Sequence, residues 1–309
     1  MAIPNGYNST PDFQYFHSIL AGAKTLGSVF YVDSGSGVDG AGYGSSPTTP
    51  FDSIDYAVGQ CTADNGDIII VLPGHAETLT NTNKITVDVA GVTVVGLGTG
   101  SLMPTLSHNH ADAEVSIAAD NVTWMGIRHL ADVTDVKVAI EIENGIDYCT
   151  VKGCVFDVVT TTTDEFLVSV RTNDASNFAV IEDCDFDMGL GAAVAAISFT
   201  LDTDGTKVLN NRIQGDYSTA CIQGLTTVST RLLIQGNILV NGGSNALNTE
   251  PGIQLEGNST GVICDNYIVS DLATLTLSCV AATCVKFNNL CVDATNETGG
   301  VVGTASTDG

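Results

Sequence analysis

Positive charge is scarce in this chain. Ten Lys and Arg stand against 35 Asp and Glu, which leaves a formal net charge of −25. A surface of that sign repels phosphate backbones and anionic membranes, so neither nucleic acid nor membrane is expected as a partner. Aromatic residues make up only 6%, too few for a broad stacking platform. No apolar run approaches the 18 or more residues of a membrane span. The first residues, MAIPNGYNSTPDFQYF, lack the basic and apolar regions of a signal peptide. Long helical patterns are rare, and there is no P-loop, GxGxxG unit or Ser/His/Asp set. These absences exclude the common nucleotide-binding and triad-hydrolase designs.

What is present points to strands. Hydrophobic residues reach 44%, charged ones only 15%, and there are 33 glycines. With abundant Val, Ile and Thr, this is the profile of an all-β protein rich in turns. The nine cysteines are Cys61, Cys149, Cys154, Cys184, Cys221, Cys264, Cys279, Cys284 and Cys291. Their number is odd, they form no CxxC pair, and most lie in apolar strand-like runs. They read as core thiols of a protein made in a reducing cytosol, not as a zinc site.

A pattern repeats along most of the chain: apolar, two spacers, a small or polar residue, a spacer, apolar. It is seen in Val151-Cys154-Phe156, Ile181-Cys184-Phe186, Val208-Asn211-Ile213, Ile234-Asn237-Leu239, Ile263-Asn266-Ile268 and Val285-Asn288-Leu290. Val92-Val95-Leu97 and Val122-Met125-Ile127 extend it upstream. The steps are roughly 22 to 30 residues, a solenoid period. Three short strands and three turns fill such a step, making one coil of a parallel β-helix. Coils stack at about 4.8 Å, so eight coils give a column about 40 Å tall. A leucine-rich repeat needs LxxLxL and helices, and a propeller needs about 40 residues per blade; neither fits. The expected fold is an all-β, single-stranded parallel β-helix solenoid of about 8–9 coils. In it, Cys154, Cys184, Asn211, Asn237, Asn266 and Asn288 form a structural ladder at a turn, with amides bonding up the stack. Met125 and Val95 are expected to prolong it as an apolar stack.

Three zones are expected. Residues 1–28 form a short helical N-terminal cap or anchoring segment, with Phe13, Phe16, Ile19 and Leu20 on one face. Phe13, Tyr15 and Phe16 offer an anchoring interface. Residues 29–292 form the β-helix domain. Residues 293–309, polar and glycine-rich, read as a flexible C-terminal tail.

The order of residues 29 to 80 resembles the N-terminal region of the pectate-lyase-like, right-handed parallel β-helix superfamily. The matching residues are Tyr31-Val32-Asp33, Pro50-Phe51, Ser53-Ile54, Ala57, Gly66-Asp67, Ile69, Val71 and Pro73-Gly74. The same stretch is similar to β-helix proteins of bacteriophage virions. The resemblance implies a right-handed column and leaves the activity open, because this fold hosts many functions. Lyases of this superfamily use calcium held by Asp or Glu and an Arg or Lys base. Here Lys137, Lys152, Arg171, Lys207, Arg212, Arg231 and Lys286 are scattered singly. Its pectin-cleaving hydrolases carry paired DD, GHG and RIK motifs, and this sequence has none of them.

The densest carboxylate run is Glu182-Asp183-Cys184-Asp185-Phe186-Asp187. On a strand Asp183 and Asp185 share a face, a spacing that would suit acid–base glycoside hydrolysis. A solvated outer face is the simpler expectation. Asp33 to Asp39 reads as a Gly-rich surface loop without a calcium ligand pattern. His108-Asn109-His110 reads as a polar loop whose two imidazoles face one side. No cofactor is expected. The leading expectation is a non-enzymatic bacteriophage virion structural protein, a capsid decoration or cement protein on the particle exterior. It would be a homotrimer bound to the major capsid protein or a tail component, assembled in the host cytoplasm and resident in the virion. The alternatives are a tailspike or receptor-binding protein gripping a host surface glycan, and a polysaccharide lyase or glycoside hydrolase, for which Asp183 and Asp185 are the candidate catalytic residues.

Overall fold

The computed structural model describes residues 27–81, 84–160, 162–191, 193–224, 226, 228–242, 250–270, 279–281, 283–293 and 298–302. Phe13, Tyr15 and Phe16 lie outside the described residues. Strands too short to stand alone repeat in threes. One coil runs Leu232–Gln235, Ile238–Asn241, Ile253–Leu255, and the next opens at Gly261–Cys264. Each strand pairs in parallel with its counterpart one coil away, as Ile234 does with Val208 and Ile263. Three sheets result. Sheet A has ten strands, from Val29–Val32 to Val285–Phe287. Sheet B has ten, from Ala76–Leu79 to Thr298–Val302, and sheet C has eight, from Ile85–Val87 to Cys279–Val280. They enclose eight complete coils and a final partial one. The chain is an all-β parallel β-helix.

Alternation within each strand sends one row of side chains into the column. In sheet A the inner row includes Val94, Trp124, Val151, Ile181, Val208, Ile234 and Ile263, all fully buried. In sheet B it runs Leu106, His129, Phe156, Phe186, Ile213, Leu239, Ile268 and Cys291. The rings of Phe156 and Phe186 stack with centroids 4.5 Å apart and an interplanar angle of 3°. The coil spacing sets that separation, which suits ring–ring contact.

The register corrects the upstream repeat. Val151 pairs with Trp124, and Trp124 with Val94. The position below Cys154 therefore belongs to Ile127, not Met125. Met125 and Val95 point outward from sheet A, where they join Ile68 and Ile70 in a separate apolar cluster. The apolar-x-x-small pattern matched two frames there, because both faces of sheet A are apolar in the first coils.

The open end of the column is closed by a short helix, Ile54–Val58. Ser53 caps it, its hydroxyl accepting from the Tyr56 N–H at 3.3 Å. Ile54, Ala57 and Val58 turn into the core. The Asp55 carboxylate accepts from the Thr86 N–H at 2.9 Å, tying the helix to sheet C. At the other end, Thr298–Val302 pairs antiparallel with Asn289–Asp293. That part of the segment read as a flexible tail is instead an added strand of sheet B. All nine cysteines are free, and eight of them are buried. Burial pushes the Cys149 thiol up to about 11 and the Cys279 thiol up to about 12, so both are neutral core groups.

Candidate functional site

The corner between sheets A and B holds the ladder. Each corner takes one left-handed residue and then one ladder residue. The left-handed residues are Gly126, Gly153, Asp183, Asn210, Gly236, Asp265 and Asn288, with φ between 53° and 71°. Gly, Asn and Asp are the types that tolerate this conformation. The next residue faces inward. Asn211 Nδ2 donates to Asn237 Oδ1 at 3.0 Å, Asn237 Nδ2 to Asn266 Oδ1 at 2.9 Å, and Asn266 Nδ2 to Asn289 Oδ1 at 2.8 Å. The same oxygens accept the backbone N–H of Asn211, Asn237 and Asn266. Each amide's second hydrogen goes to a carbonyl one coil away, those of Ile181, Val208, Ile234 and Ile263. Cys184 joins by donating its N–H to Asn211 Oδ1 at 2.9 Å. Cys154 occupies the equivalent place one coil below, with Asp185 N–H bonded to its carbonyl.

The fourth asparagine rung is Asn289, not Asn288. Asn288 is the left-handed residue of its corner, and its amide donates outward to Asp265 at 2.6 Å. In the adjacent pair Asn288-Asn289 the sequence gives no hint which residue turns inward. The ladder amides are saturated and buried, so they have no capacity left for a ligand.

The same corner geometry separates the two candidate catalytic carboxylates. Asp183 is the left-handed residue at φ 55°, and Asp185 opens the next strand of sheet B. Simple strand alternation across them is lost at the turn. Asp183 lies 3.4 Å from Lys152 Nζ, which also binds Glu182 at 2.7 Å. Asp185 lies 2.6 Å from Arg212 and is half exposed. Each is paired with a cation from a neighbouring coil, so the two carboxylates bind in different directions and do not converge on a shared site. Among the described residues the carboxyl held above its ordinary range is Glu165, chiefly through burial. It sits in a turn before sheet C, bonded to the Asp135 N–H at 3.2 Å.

The loop from Asp33 to Asp39 also binds inward. Asp33 accepts from the Gly35 N–H and the Ser36 hydroxyl. Asp39 accepts from Asp52 and Ser53 ahead of the short helix. No group of three or more His, Cys, Asp or Glu among the described residues is placed to hold a metal. The two imidazoles of His108-Asn109-His110 do not share a side. His108 is fully buried, whereas the His110 side chain is 44% exposed. His108 belongs to a buried chain of donors: Trp124 Nε1 to His129 Nε2 at 3.1 Å, His129 Nδ1 to His108 Nε2 at 3.2 Å, and His108 Nδ1 to the Ala113 carbonyl at 3.0 Å. Because the indole only donates and the carbonyl only accepts, that direction satisfies every nitrogen with both imidazoles neutral.

Two surface features were not anticipated. Sheet C carries an outward polar row, Ser116, Glu141, Arg171, Ser198 and Gln223. Arg171 Nε and an η nitrogen both bond Glu141 Oε1, at 3.0 and 2.8 Å, and Asn173 bonds the same oxygen. Beside them Val168, Ser198, Thr200, Gln223 and Thr226 line a groove of about 260 Å³, smaller than most ligand pockets. The second feature is at the corner between sheets C and A. Tyr148, Phe178, Gly205 and Arg231 occupy equivalent left-handed positions, with φ from 53° to 69°. The Tyr148 and Phe178 rings stack at 4.8 Å, and Arg231 lies over the Phe178 ring at 5.4 Å. Gly205 makes room: a Cβ there would sit 2.5 Å from the Phe178 ring. Arg231 also clasps Asp204, whose carboxyl is lowered to about 2 by that guanidinium. Left-handed backbone is unusual for bulky residues, and Tyr148 is 56% exposed. The spacing of Tyr148 and Phe178 was a legible signal, once the coil period was applied to them.

No family model matches the sequence, and no curated protein matches it. A solved structure of a rhamnogalacturonan lyase does match in shape. The TM-score is 0.51 at 12% identity, over 79% of this chain and 69% of that one. The two share the parallel β-helix fold. At that identity the likeness concerns the fold alone, and fold does not carry activity.

Proposed function

We propose that this chain is a non-catalytic structural protein of a bacteriophage virion, a decoration protein on the particle exterior, trimeric and seated on the major capsid protein. The observation that carries the non-catalytic part is the pairing of Asp183 with Lys152 and of Asp185 with Arg212. The two carboxylates serve to stitch coils together. The saturated amide ladder and the helix over the open end suit a rigid rod, and the acidic skin suits a solvated exterior. The virion assignment itself rests on the sequence resemblance around Tyr31–Gly74. Cryo-electron microscopy of purified particles tests it. Many copies at symmetry-related capsid positions are expected, and absence of the chain from every particle would overturn the reading.

A second reading is a receptor-binding β-helix that grips a host surface glycan. It is favoured by the exposed Tyr148–Phe178–Arg231 column, because an aromatic ring beside a charged pair is a common way to hold a sugar. A glycan array followed by Tyr148→Ala decides it. Binding lost in the variant supports this reading, and no binding by the wild type removes it. A polysaccharide lyase or hydrolase draws only on the shared fold. Unchanged turnover of polysaccharides in Asp183→Asn and Asp185→Asn would exclude those two carboxylates as its machinery.

A further inference from the structure

A sheet face turned to water is expected to carry polar side chains, and the first coils of sheet A depart from that. The outward row reads Tyr31, Ile70, Val95, Met125, Lys152 and Glu182 from one coil to the next. It changes from apolar to charged between Met125 and Lys152. Below that step lie Ile68, Ile70, Val95 and Met125, with Val29, Tyr31, Leu72 and Leu97 packed beside them. Their relative exposures are only 2%, 1%, 1% and 7%. Side chains on the outer face of a sheet reach such values only under a cover. Among the described residues, the elements that chiefly contact Ile68–Val71 and Thr93–Gly96 are their sheet neighbours and, on the core side, the helix Ile54–Val58. Neither lies over the outer face.

We propose that this face is the docking surface for the chain's own N-terminal segment, residues 1–26. The segment joins the described chain beside the patch. Ser28 donates its N–H to Asp67 Oδ1 at 2.6 Å, and its carbonyl accepts from the Ile68 N–H at 2.9 Å, at the edge of the patch. The segment that precedes it carries Phe13, Phe16, Ile19 and Leu20 at helical spacing. Four strands at about 4.8 Å make a face roughly 15–20 Å long, and eight helical residues span about 12 Å of it. The match is apolar to apolar. The segment is then a strap on the flank of sheet A. The plug at the open end is the helix Ile54–Val58.

A photo-crosslinking residue at Phe16 in the full-length chain tests this, using a mixture of isotopically light and heavy protein. The expected links join residue 16 to the peptides bearing Ile68–Val71, Val95 or Met125 of the same chain, in a yield independent of dilution. Links that join light to heavy chains, or that reach none of these peptides, would overturn it. Met125→Glu gives a second reading by trypsin at Lys24. Cleavage is expected to speed up about tenfold, as for a 1.4 kcal/mol loss of docking, with the far-ultraviolet spectrum retained. Cleavage at the wild-type rate would overturn the proposal. Both measurements use the isolated chain, so they stand whether or not the protein belongs to a particle.

Discussion

Asn237 shows what one residue does in this protein. Its side chain accepts two hydrogen bonds from Asn211 and donates to Val208 and Asn266. Asn237→Ala strips partners from buried groups in two coils, and leaving such groups unsatisfied costs about 2–4 kcal/mol. Asn288 and Asn289 provide the contrast. Asn289→Ala removes the last rung and is expected to lower the urea midpoint clearly. Asn288→Gly keeps the left-handed corner and should stay within about 0.5 kcal/mol of wild type. Equal losses for the two neighbours would contradict the ladder as described.

The layer formed by strands Thr105–His108, Thr123–Met125 and Arg128–Ala131 should make stability depend on pH. Burial lowers His108 to about 4 and holds His129 well below the usual imidazole range. In the unfolded chain both titrate near 6.5. Between roughly pH 6.5 and 4 the unfolded state binds more protons, so stability falls as pH falls through that window. For His108 the loss approaches about 3 kcal/mol at the low end. The check is the urea midpoint from pH 7.5 to 4.5, compared with a His108→Leu/His129→Phe double variant. The variant should lose most of the slope above pH 5, where carboxylates scarcely titrate. An unchanged slope would show that these imidazoles are not the cause.

The whole molecule is close to one-dimensional, since each coil touches mainly the coils on either side. Stability is then a sum of coil and interface contributions, and the ends open first. Amide hydrogen exchange should be slowest in the central coils, around Val151–Ile234, and faster towards Gly261–Asp293. Uniform protection along the column would mean that the sheets unfold as a single unit.

The column was legible in the sequence because its period is enforced by stacking. Each coil must return a similar apolar residue to the same height, so Val151, Ile181, Val208, Ile234 and Ile263 recur at nearly constant steps. The cross-coil ion pairs were not legible. Lys152 with Glu182, Arg212 with Asp185 and Arg231 with Asp204 lie about one coil apart in sequence, where the chain alone shows single, scattered cations. The first coils misled the frame, because sheet A there is apolar on both faces and Met125 mimicked a core position. The sequence by itself determined the strand pattern, the repeat and the residue types able to turn each corner, since those depend on local backbone sterics and burial. Only the tertiary structure decided which of Asn288 and Asn289 faces inward, that Met125 and Val95 lie on the outer face of sheet A, and that Asp183 and Asp185 are tied to cations. Those outcomes depend on register between coils, a relation among distant residues that no local pattern encodes.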